Sequence, residues 1–338
     1  MTLLTLKLSI LKRTCVSTFI LLGLSVSLGL FLASPVKAQE YPSRTVKIIV
    51  PFAAGGPTDV FARLAAQKLT EQMGQSFIVE NRPGATGSIG SAMAATSPAD
   101  GYTLLLSSTS SYMSPYMQKN PSFNPAKDFT PIINLANLPF YFVTNPKMPA
   151  NTLMDIIALA KQKPGGLNFG SPGIGSAGHL CVEMFMNETG TKLTHVPYSK
   201  GAALAVSALM SGEVDFLCDS LSTSHVHVKA GKLKGLGLTA AKRFPTALDI
   251  PTTTEAGLPN FELTIWFALF GPVGMPPAVT QKLNAELNKI MQTPELKDRV
   301  LNIGGEFSPN TPEQFSDFIK RDMPKWVNTI SLMGLKTD

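Results

Sequence analysis

Charged residues are scarce in this chain, since Asp, Glu, Lys and Arg make up 15% of its 338 residues. Soluble proteins average about 25%. Cysteine is scarcer still, with three residues. Beyond residue 33 no apolar run approaches the roughly 20 residues that a membrane-spanning helix needs. We therefore expect the remainder of the chain to be soluble, and its length is enough for two domains of ordinary size.

The first 38 residues have the pattern of an export signal. Basic residues open the segment, an apolar run covers residues 16–33, and Val36 and Ala38 occupy the two positions that a signal peptidase recognises. We predict a signal peptide over residues 1–38, cleavage after Ala38 and a location in the periplasm. An uncleaved membrane anchor is the alternative, because the apolar run is close to the length that spans a bilayer.

The basic character of the chain comes mostly from this segment. Residues 1–38 carry four basic residues and no acidic ones, so their removal lowers the formal net charge from +6 to +2. The four are Lys7, Lys12, Arg13 and Lys37. A charge this small is not the footprint of a nucleic-acid-binding protein. We therefore predict no nucleic-acid partner.

Short apolar segments alternate with segments of helical periodicity along the rest of the chain. This alternation is typical of parallel strands covered by helices. Two further apolar segments, near residues 132–144 and 261–272, are extended and lead out of one such α/β unit and back into it. We predict a first lobe at residues 39–140 plus 265–338 and a second lobe at 141–264, joined by two extended crossover segments.

Two helix starts are marked by capping patterns. Thr152 is followed three residues later by Asp155, and Thr311 is followed by Pro312 and, three residues on, by Gln314. In a capping box the two side chains bond each other's backbone N–H groups, and proline fits the first helical position. We predict helices beginning at both places.

Two glycine-rich loops each join a strand to a helix, at residues 52–59 and 170–178. Exposed backbone N–H groups and the helix dipole favour an anion at such a place. In open α/β sheets, ligands bind outside the carboxyl ends of the strands. We predict an anion site where the two loops meet, one loop from each lobe. The alternative is a pair of tight turns without a ligand.

Sequence signatures of catalysis are absent. Neither loop contains the Gly-Lys-Ser/Thr of a phosphate-binding loop, and no Gly-x-Ser-x-Gly motif occurs. Gly173-x-Gly175-x-x-Gly178 matches a dinucleotide fingerprint, but the acidic residue expected about 20 positions later is missing. No histidine has cysteine or acidic partners at metal-ligand spacing. We predict no catalytic residues, no cofactor and no metal. Among the four histidines, His179 alone is expected near the ligand.

Cys181 and Cys218 remain after the predicted signal peptide is removed. In an exported protein two cysteines can form one disulfide. Two buried free thiols are the alternative.

Several ordered stretches of this chain resemble the solute-binding family of tripartite tricarboxylate transporters, the Bug-type periplasmic receptors. Together they extend over nearly the whole chain after residue 40. The matching stretches are residues 41–44, 51–59, 79–85, 171–180, 195–198, 212–215, 249–252 and 255–259.

The resemblance implies a type II periplasmic-binding-protein fold, no cofactor and a small carboxylate held largely by backbone N–H groups and ordered water. It also implies membrane transporter subunits as partners, and we expect a monomer. It favours the disulfide between Cys181 and Cys218. The ligand-binding residues that it implies are Phe52, Ala53, Ala54, Gly55, Gly56, Pro57, Thr58, Asp59, Ser107, Ser108, Thr109, Ser171, Pro172, Gly173, Ile174, Gly175, Ser176, His179, Tyr198 and Asp219.

One position departs from the family pattern. Members of the family have Lys or Arg directly after Val-Pro-Tyr, whereas Ser199 here separates Tyr198 from Lys200. A ligand contact by Lys200 is therefore left open. A solute sensor that presents the same lobes to a signalling partner, and an exported enzyme, are the alternative functions.

Overall fold

The computed structural model describes residues 40–198, 201–259 and 261–335. The predicted signal peptide, its cleavage after Ala38 and the insertion at Ser199 and Lys200 lie outside the described residues. A first unit ends at Ser43, and its described residues, 40–43, contain no helix or strand. The second unit begins at Arg44 and contains all the described strands and helices. No described helix combines the length and apolar character needed to cross a membrane.

Strands and helices alternate through this second unit. The strands are β1 (Val46–Val50), β2 (Phe77–Asn81), β3 (Thr103–Ser108), β4 (Phe129–Thr144), β5 (Asn168–Ser171), β6 (Thr194–Pro197), β7 (Phe216–Ser220), β8 (Lys234–Leu238) and β9 (Thr264–Pro272). The helices are α1 (Pro57–Met73), α2 (Ser88–Ala95), α3 (Thr109–Met113), α4 (Leu153–Gln162), α5 (Ala177–Thr189), α6 (Ala202–Ser211), α7 (Leu221–Lys229), α8 (Pro277–Met291), α9 (Pro294–Asn302) and α10 (Pro312–Leu332). Short 3₁₀ turns occupy Ala85–Gly87 and Ser114–Met117.

The strands form a nine-stranded mixed sheet in the order β2-β1-β3-β9-β4-β7-β5-β6, with β8 also paired to β4. Strand β1 is parallel to β2 and β3, and β5 is parallel to β6 and β7. The long strand β4 is antiparallel to β9 from Phe129 to Pro139, and from Phe140 onward it pairs with β7 and β8. Strand β4 thus leads from one group of parallel strands to the other, as the predicted crossing requires. The lobe boundaries themselves stay a prediction.

Both predicted capping boxes are present. Thr152 and Thr311 each accept a hydrogen bond from the backbone N–H three residues later, and the side chains of Asp155 and Gln314 bond back to the N-cap N–H groups. Each helix therefore starts where its own side chains satisfy the orphan donors of the first turn.

A buried carboxylate joins α10 to one of the crossing strands. The indole N–H groups of Trp266 in β9 and of Trp326 in α10 both donate to Asp322 Oδ2, at 3.1 Å each. Trp326 also packs against Phe140 in β4, with ring centroids 6.1 Å apart. Burial raises the pKa of Asp322. These contacts fix α10 against both crossing strands, β4 and β9.

Cys181 in α5 and Cys218 in β7 form a disulfide, with their Cα atoms 6.2 Å apart. Both residues are buried. The disulfide interpretation is therefore confirmed, and the alternative of two free thiols is wrong. The bond ties the start of α5 to the strand that ends at Asp219 and Ser220.

Replacing both cysteines by alanine should lower the free energy of unfolding. The bond spans a sequence separation of 37 residues, and closing a loop of that length in the unfolded chain is worth about 3–4 kcal/mol. Urea unfolding followed by tryptophan fluorescence measures the difference, with the wild type in reductant as the matched control. Equal unfolding free energies in the oxidised wild type and the double variant would contradict this role.

Candidate ligand-binding site

The first glycine-rich loop follows β1 and ends at the start of α1. Ala53, Ala54 and Gly55 are exposed, and Gly55 has a φ of +87°, a conformation that glycine adopts without strain. Gly56 is the N-cap residue of α1 and offers no side chain to cap it. The orphan N–H groups of the first turn are therefore left without a side-chain cap.

Asp59 organises this loop from inside the protein. Its side chain is buried, and its Oδ2 accepts hydrogen bonds from Gly55 N at 2.9 Å and from Arg63 Nε at 2.8 Å. Its Oδ1 accepts from Asn81 Nδ2 at 2.9 Å, and the same amide donates to Phe52 O at 3.0 Å. Asp59 and Asn81 thus hold both ends of the exposed segment. Sequence reasoning predicted a ligand contact for Asp59 and overlooked Asn81.

The charge of Asp59 is stabilised where it lies. Burial by itself would raise the pKa of this carboxyl group, but the hydrogen bonds from Arg63, Gly55 and Asn81 outweigh burial and lower the pKa. Asp59 therefore remains ionised at neutral pH, and its oxygens are engaged by protein donors.

The predicted residues Ser107, Ser108 and Thr109 are buried at the end of β3 and the start of α3. Ser107 Oγ and Ser111 Oγ are 2.8 Å apart, and Ser108 N donates to Ser111 Oγ at 3.0 Å. Thr109 Oγ1 accepts from Trp266 N in β9 at 2.9 Å. The Ser107 and Ser111 hydroxyls therefore bond each other, Ser108 is held through its backbone N–H, and Thr109 holds the crossing strand.

The second glycine-rich loop follows β5 and is held by its own side chains. Ser171 Oγ accepts from Gly173 N at 3.1 Å. His179 Nδ1 accepts from Gly175 N at 3.0 Å, and Ser176 caps α5 by accepting from His179 N at 3.3 Å. Because Nδ1 of His179 is an acceptor, neutral His179 carries its proton on Nε2, which lies 3.4 Å from Glu183 Oε1. His179 therefore acts on the loop backbone, where the sequence predicted a ligand contact or a loop cap.

His195 supports the same loop, a role that was not predicted from the sequence. Its ring stacks on that of His179 with centroids 3.8 Å apart, and its Nε2 shares a 2.7 Å hydrogen bond with Ser171 Oγ. Burial and the neighbouring His179 lower the pKa of His195 to about 4. Its register opposite Phe169 in the parallel pair β5–β6 places it there, and no local sequence motif marks that pairing.

Tyr198 and Asp219 form hydrogen bonds within the second group of strands and the segments that connect them. The Tyr198 hydroxyl donates to Glu213 Oε1 at 2.8 Å, and Tyr198 N donates to Ser171 O at 2.9 Å. Asp219 is buried and accepts from Ser224 Oγ at 2.6 Å. Burial raises the pKa of Asp219 to about 6.

In the part of the chain that the structure describes, no cluster of three or more His, Cys, Asp or Glu could hold a metal ion.

The second loop lines a small cavity beside the 3₁₀ turn that follows α3. Gly175 has a φ of +74°, and a Cβ there would lie 2.5 Å from Met117 Sδ, so the second loop touches the 3₁₀ turn that follows α3. A Cβ at Gly87 would lie 3.3 Å from the tip of the Phe52 ring, next to the first loop. The cavity has a volume of about 220 Å³ and is lined by Ala85, Thr86, Ser114, Met117, Gln118, Ile174, Gly175 and Leu335.

A larger cavity of about 640 Å³ lies elsewhere, between α10 and the aromatic residues Tyr112, Phe129 and Phe270. None of the predicted site residues lines it. The second loop contributes Ile174 and Gly175 to the smaller cavity, and residues 52–59 line neither of the two.

A family model and a known relative both match most of this chain. The model of a family described as the tripartite tricarboxylate transporter family receptor matches residues 61–335. The protein BugT of Bordetella pertussis is 35% identical over 307 residues, which cover 90% of this chain and 94% of BugT.

Similar solved structures cover most of this chain. An R. palustris protein determined with adipate is 33% identical, with a TM-score of 0.75 over 88% of this chain and 99% of its own. MatC from Rhodopseudomonas palustris with bound malate is 29% identical, with a TM-score of 0.73 over 86% of this chain and 100% of its own. The periplasmic binding protein BugD is 33% identical, with a TM-score of 0.73 over 88% and 100% of the two chains.

These comparisons confirm the predicted type II periplasmic-binding-protein fold. They also decide between receptor and enzyme, because the matched family is one of solute-binding receptors. The chain belongs to the tripartite tricarboxylate transporter family of receptors.

Proposed function

We propose that this chain is a periplasmic receptor that captures a small carboxylate between its two lobes for a tripartite tricarboxylate-type transporter. The observation that carries the proposal is the presence of two strand–loop–helix units, one in each group of parallel strands, whose helix starts offer backbone N–H groups. Relatives with bound adipate and bound malate support a carboxylate as the ligand.

Backbone N–H groups supply the anchor in this proposal. Helix α1 has orphan N–H groups at Gly56 and Thr58, and α5 has them at Ala177 and Gly178, because the first turn of a helix has no internal acceptors. Both helix dipoles place partial positive charge at these ends. A carboxylate between them accepts hydrogen bonds without needing a cationic side chain.

The side chains of Asp59, His179 and His195 position the loops in this scheme and leave the backbone to contact the ligand. Five other predicted residues also position the loops without contacting the ligand in this scheme, since each already bonds a protein partner. They are Ser107, Ser108, Thr109, Tyr198 and Asp219. Direct contacts come from the backbone of the loops and of the first helical turns, at residues 53–58 and 172–178.

Closure of the two lobes follows from contact with both loops. The lobes are residues 39–140 plus 265–338 and residues 141–264, and β4 and β9 bend between them. A ligand shifts this equilibrium only by its greater affinity for the closed form. The closed form then docks on the membrane subunits, and no described feature favours a signalling partner in their place.

A thermal-shift screen tests this function. Mono-, di- and tricarboxylates, amino acids and aromatic acids are compared with neutral sugars and nucleotides. At least one carboxylate should raise the melting temperature, because a ligand that binds only the native state stabilises it by mass action. Stabilisation by sugars or nucleotides, with none by any carboxylate, would overturn the proposal.

Asp59→Asn should weaken binding of that carboxylate by about tenfold or more, since one charge-assisted hydrogen bond is worth about 1.5–3 kcal/mol. The amide nitrogen of the substituted side chain would face the donors of Arg63, Gly55 or Asn81, and the loop would lose its fixed geometry. Isothermal titration calorimetry measures the dissociation constant.

Asp317→Asn is the matched control for this change. Asp317 is an exposed carboxylate that pairs with Lys320 at 2.9 Å, away from both loops. Its replacement removes the same charge and should leave the dissociation constant unchanged. An equal change in the dissociation constant for both variants, or no change for either, would show that Asp59 does not organise the site.

A further inference from the structure

The larger cavity, which lies between α10 and aromatic residues of the crossing strands, has the size of a ligand pocket. Its volume of about 640 Å³ falls within the roughly 300–1,000 Å³ of pockets that enclose small molecules. All the residues that line it belong to the predicted first lobe, and none comes from residues 52–59 or 170–178. The cavity is therefore separate from the proposed carboxylate anchor, and closure of the lobes is not needed to form it.

Aromatic rings form the floor of this cavity. Tyr112, Phe129 and Phe270 are buried there. The centroid of the Phe270 ring lies 5.6 Å from that of Tyr112 and 5.9 Å from that of Phe129. The Tyr112 hydroxyl donates to Pro125 O at 3.0 Å, so its ring is fixed in place. Such a floor offers ring faces and edges to a ligand, and pairs of aromatic rings attract each other beyond the area that they bury.

One face of α10 forms the opposite wall. Ile319, Met323 and Val327 are four residues apart in turn, so their side chains share this face as an apolar stripe. The stripe covers about 12 Å along the helix axis, since each residue rises about 1.5 Å. Met323 also brings a thioether sulfur, which packs favourably against aromatic rings. The stripe is long enough to cover a molecule of two fused aromatic rings.

The cavity offers little to an ion. Among the residues that line it, Lys320 carries the charge, and its Nζ already pairs with Asp317 Oδ1 at 2.9 Å in an exposed ion pair. A further charged group inside the cavity would find no partner there. The lining therefore favours an uncharged ligand.

Tyr116 gives the cavity a polar group that can bind such a ligand. The residue is half-buried in the lining, and its hydroxyl has no hydrogen-bond partner within the described parts of the chain. Burial raises the pKa of Tyr116, so the hydroxyl keeps its proton at neutral pH. It can therefore donate a hydrogen bond to a ligand or accept one from it.

We propose that this cavity is a second binding site, which takes an uncharged molecule of two aromatic rings with one hydroxyl group. The rings lie between the aromatic floor and the stripe of α10, and the hydroxyl bonds that of Tyr116. The molecule enters past Lys320, Pro324 and Asn328, which line the cavity and are exposed. The proposed carboxylate and this aromatic ligand bind to separate parts of the chain.

Isothermal titration calorimetry with naphthol, naphthalene and decahydronaphthol tests the site. Naphthol should bind about three- to tenfold more tightly than naphthalene, as one neutral hydrogen bond predicts. Decahydronaphthol keeps the hydroxyl and the carbon skeleton without an aromatic ring, so it should bind more weakly than naphthol. Tyr116→Phe keeps the ring of the protein and removes its hydroxyl. This variant should lose the advantage of naphthol over naphthalene and keep the affinity for naphthalene.

Val327→Phe fills the cavity and should abolish binding of naphthol. Val226→Phe is the matched control, because Val226 is exposed on α7 and does not line the cavity, and it should leave that binding unchanged. Circular dichroism and the melting temperature without ligand check that each variant is folded. Ser316→Phe enters the cavity from the other end of the stripe and gives the same test if Val327→Phe does not fold.

Four results would overturn the second site. They are no binding of naphthol to the wild type, no advantage of naphthol over either analogue, an advantage over naphthalene that survives in Tyr116→Phe, and binding that persists in a folded cavity-filling variant. None of them bears on the proposed function, because the carboxylate screen tests that function separately.

Discussion

The site depends on one constraint: backbone N–H groups must stay ordered while remaining unpaired inside the loops. An exposed glycine-rich segment would lose that order through its own conformational freedom. The buried Asp59 carboxylate prevents this, since it accepts from Gly55, Arg63 and Asn81. His179 Nδ1 does the same for the second loop by accepting from Gly175. In each loop a helix side chain within the first turn fixes the backbone that precedes it.

The rest of the fold supports this pair of loops. The disulfide joins α5, which carries His179, to β7, and the stacked His195 comes from β6. Trp266 lies on the crossing strand β9. Its backbone N–H donates to Thr109, which follows β3, and its indole N–H donates to Asp322 in α10. The loops are ordered by Asp59 and His179, whereas the crossing strand β9 is attached through Thr109 and Asp322. Both Asp59 and Asp322 accept from their own helix and from a second element, β2 and β9 respectively, so each carboxylate joins two elements.

Local signals in the sequence predicted much of this architecture. Strand–glycine–helix patterns located both loops, and the capping residues at Thr152 and Thr311 marked helix starts, since each depends on residues a few positions apart. Contacts between residues that are distant in the sequence could not be predicted. The Asp59–Asn81 bond depends on the register of β1 and β2, and the His179–His195 stack depends on that of β5 and β6. The positive φ of Thr86 has no signal in its residue type, which disfavours that conformation.

A crystal structure of the chain with a bound carboxylate tests the central claim most directly. We expect carboxylate oxygens within about 2.7–3.2 Å of backbone nitrogens in residues 53–58 and 172–178, with the Asp59 and His179 side chains still bonded to their loops. A ligand bound elsewhere, or a carboxylate held chiefly by a lysine or arginine side chain, would contradict that claim.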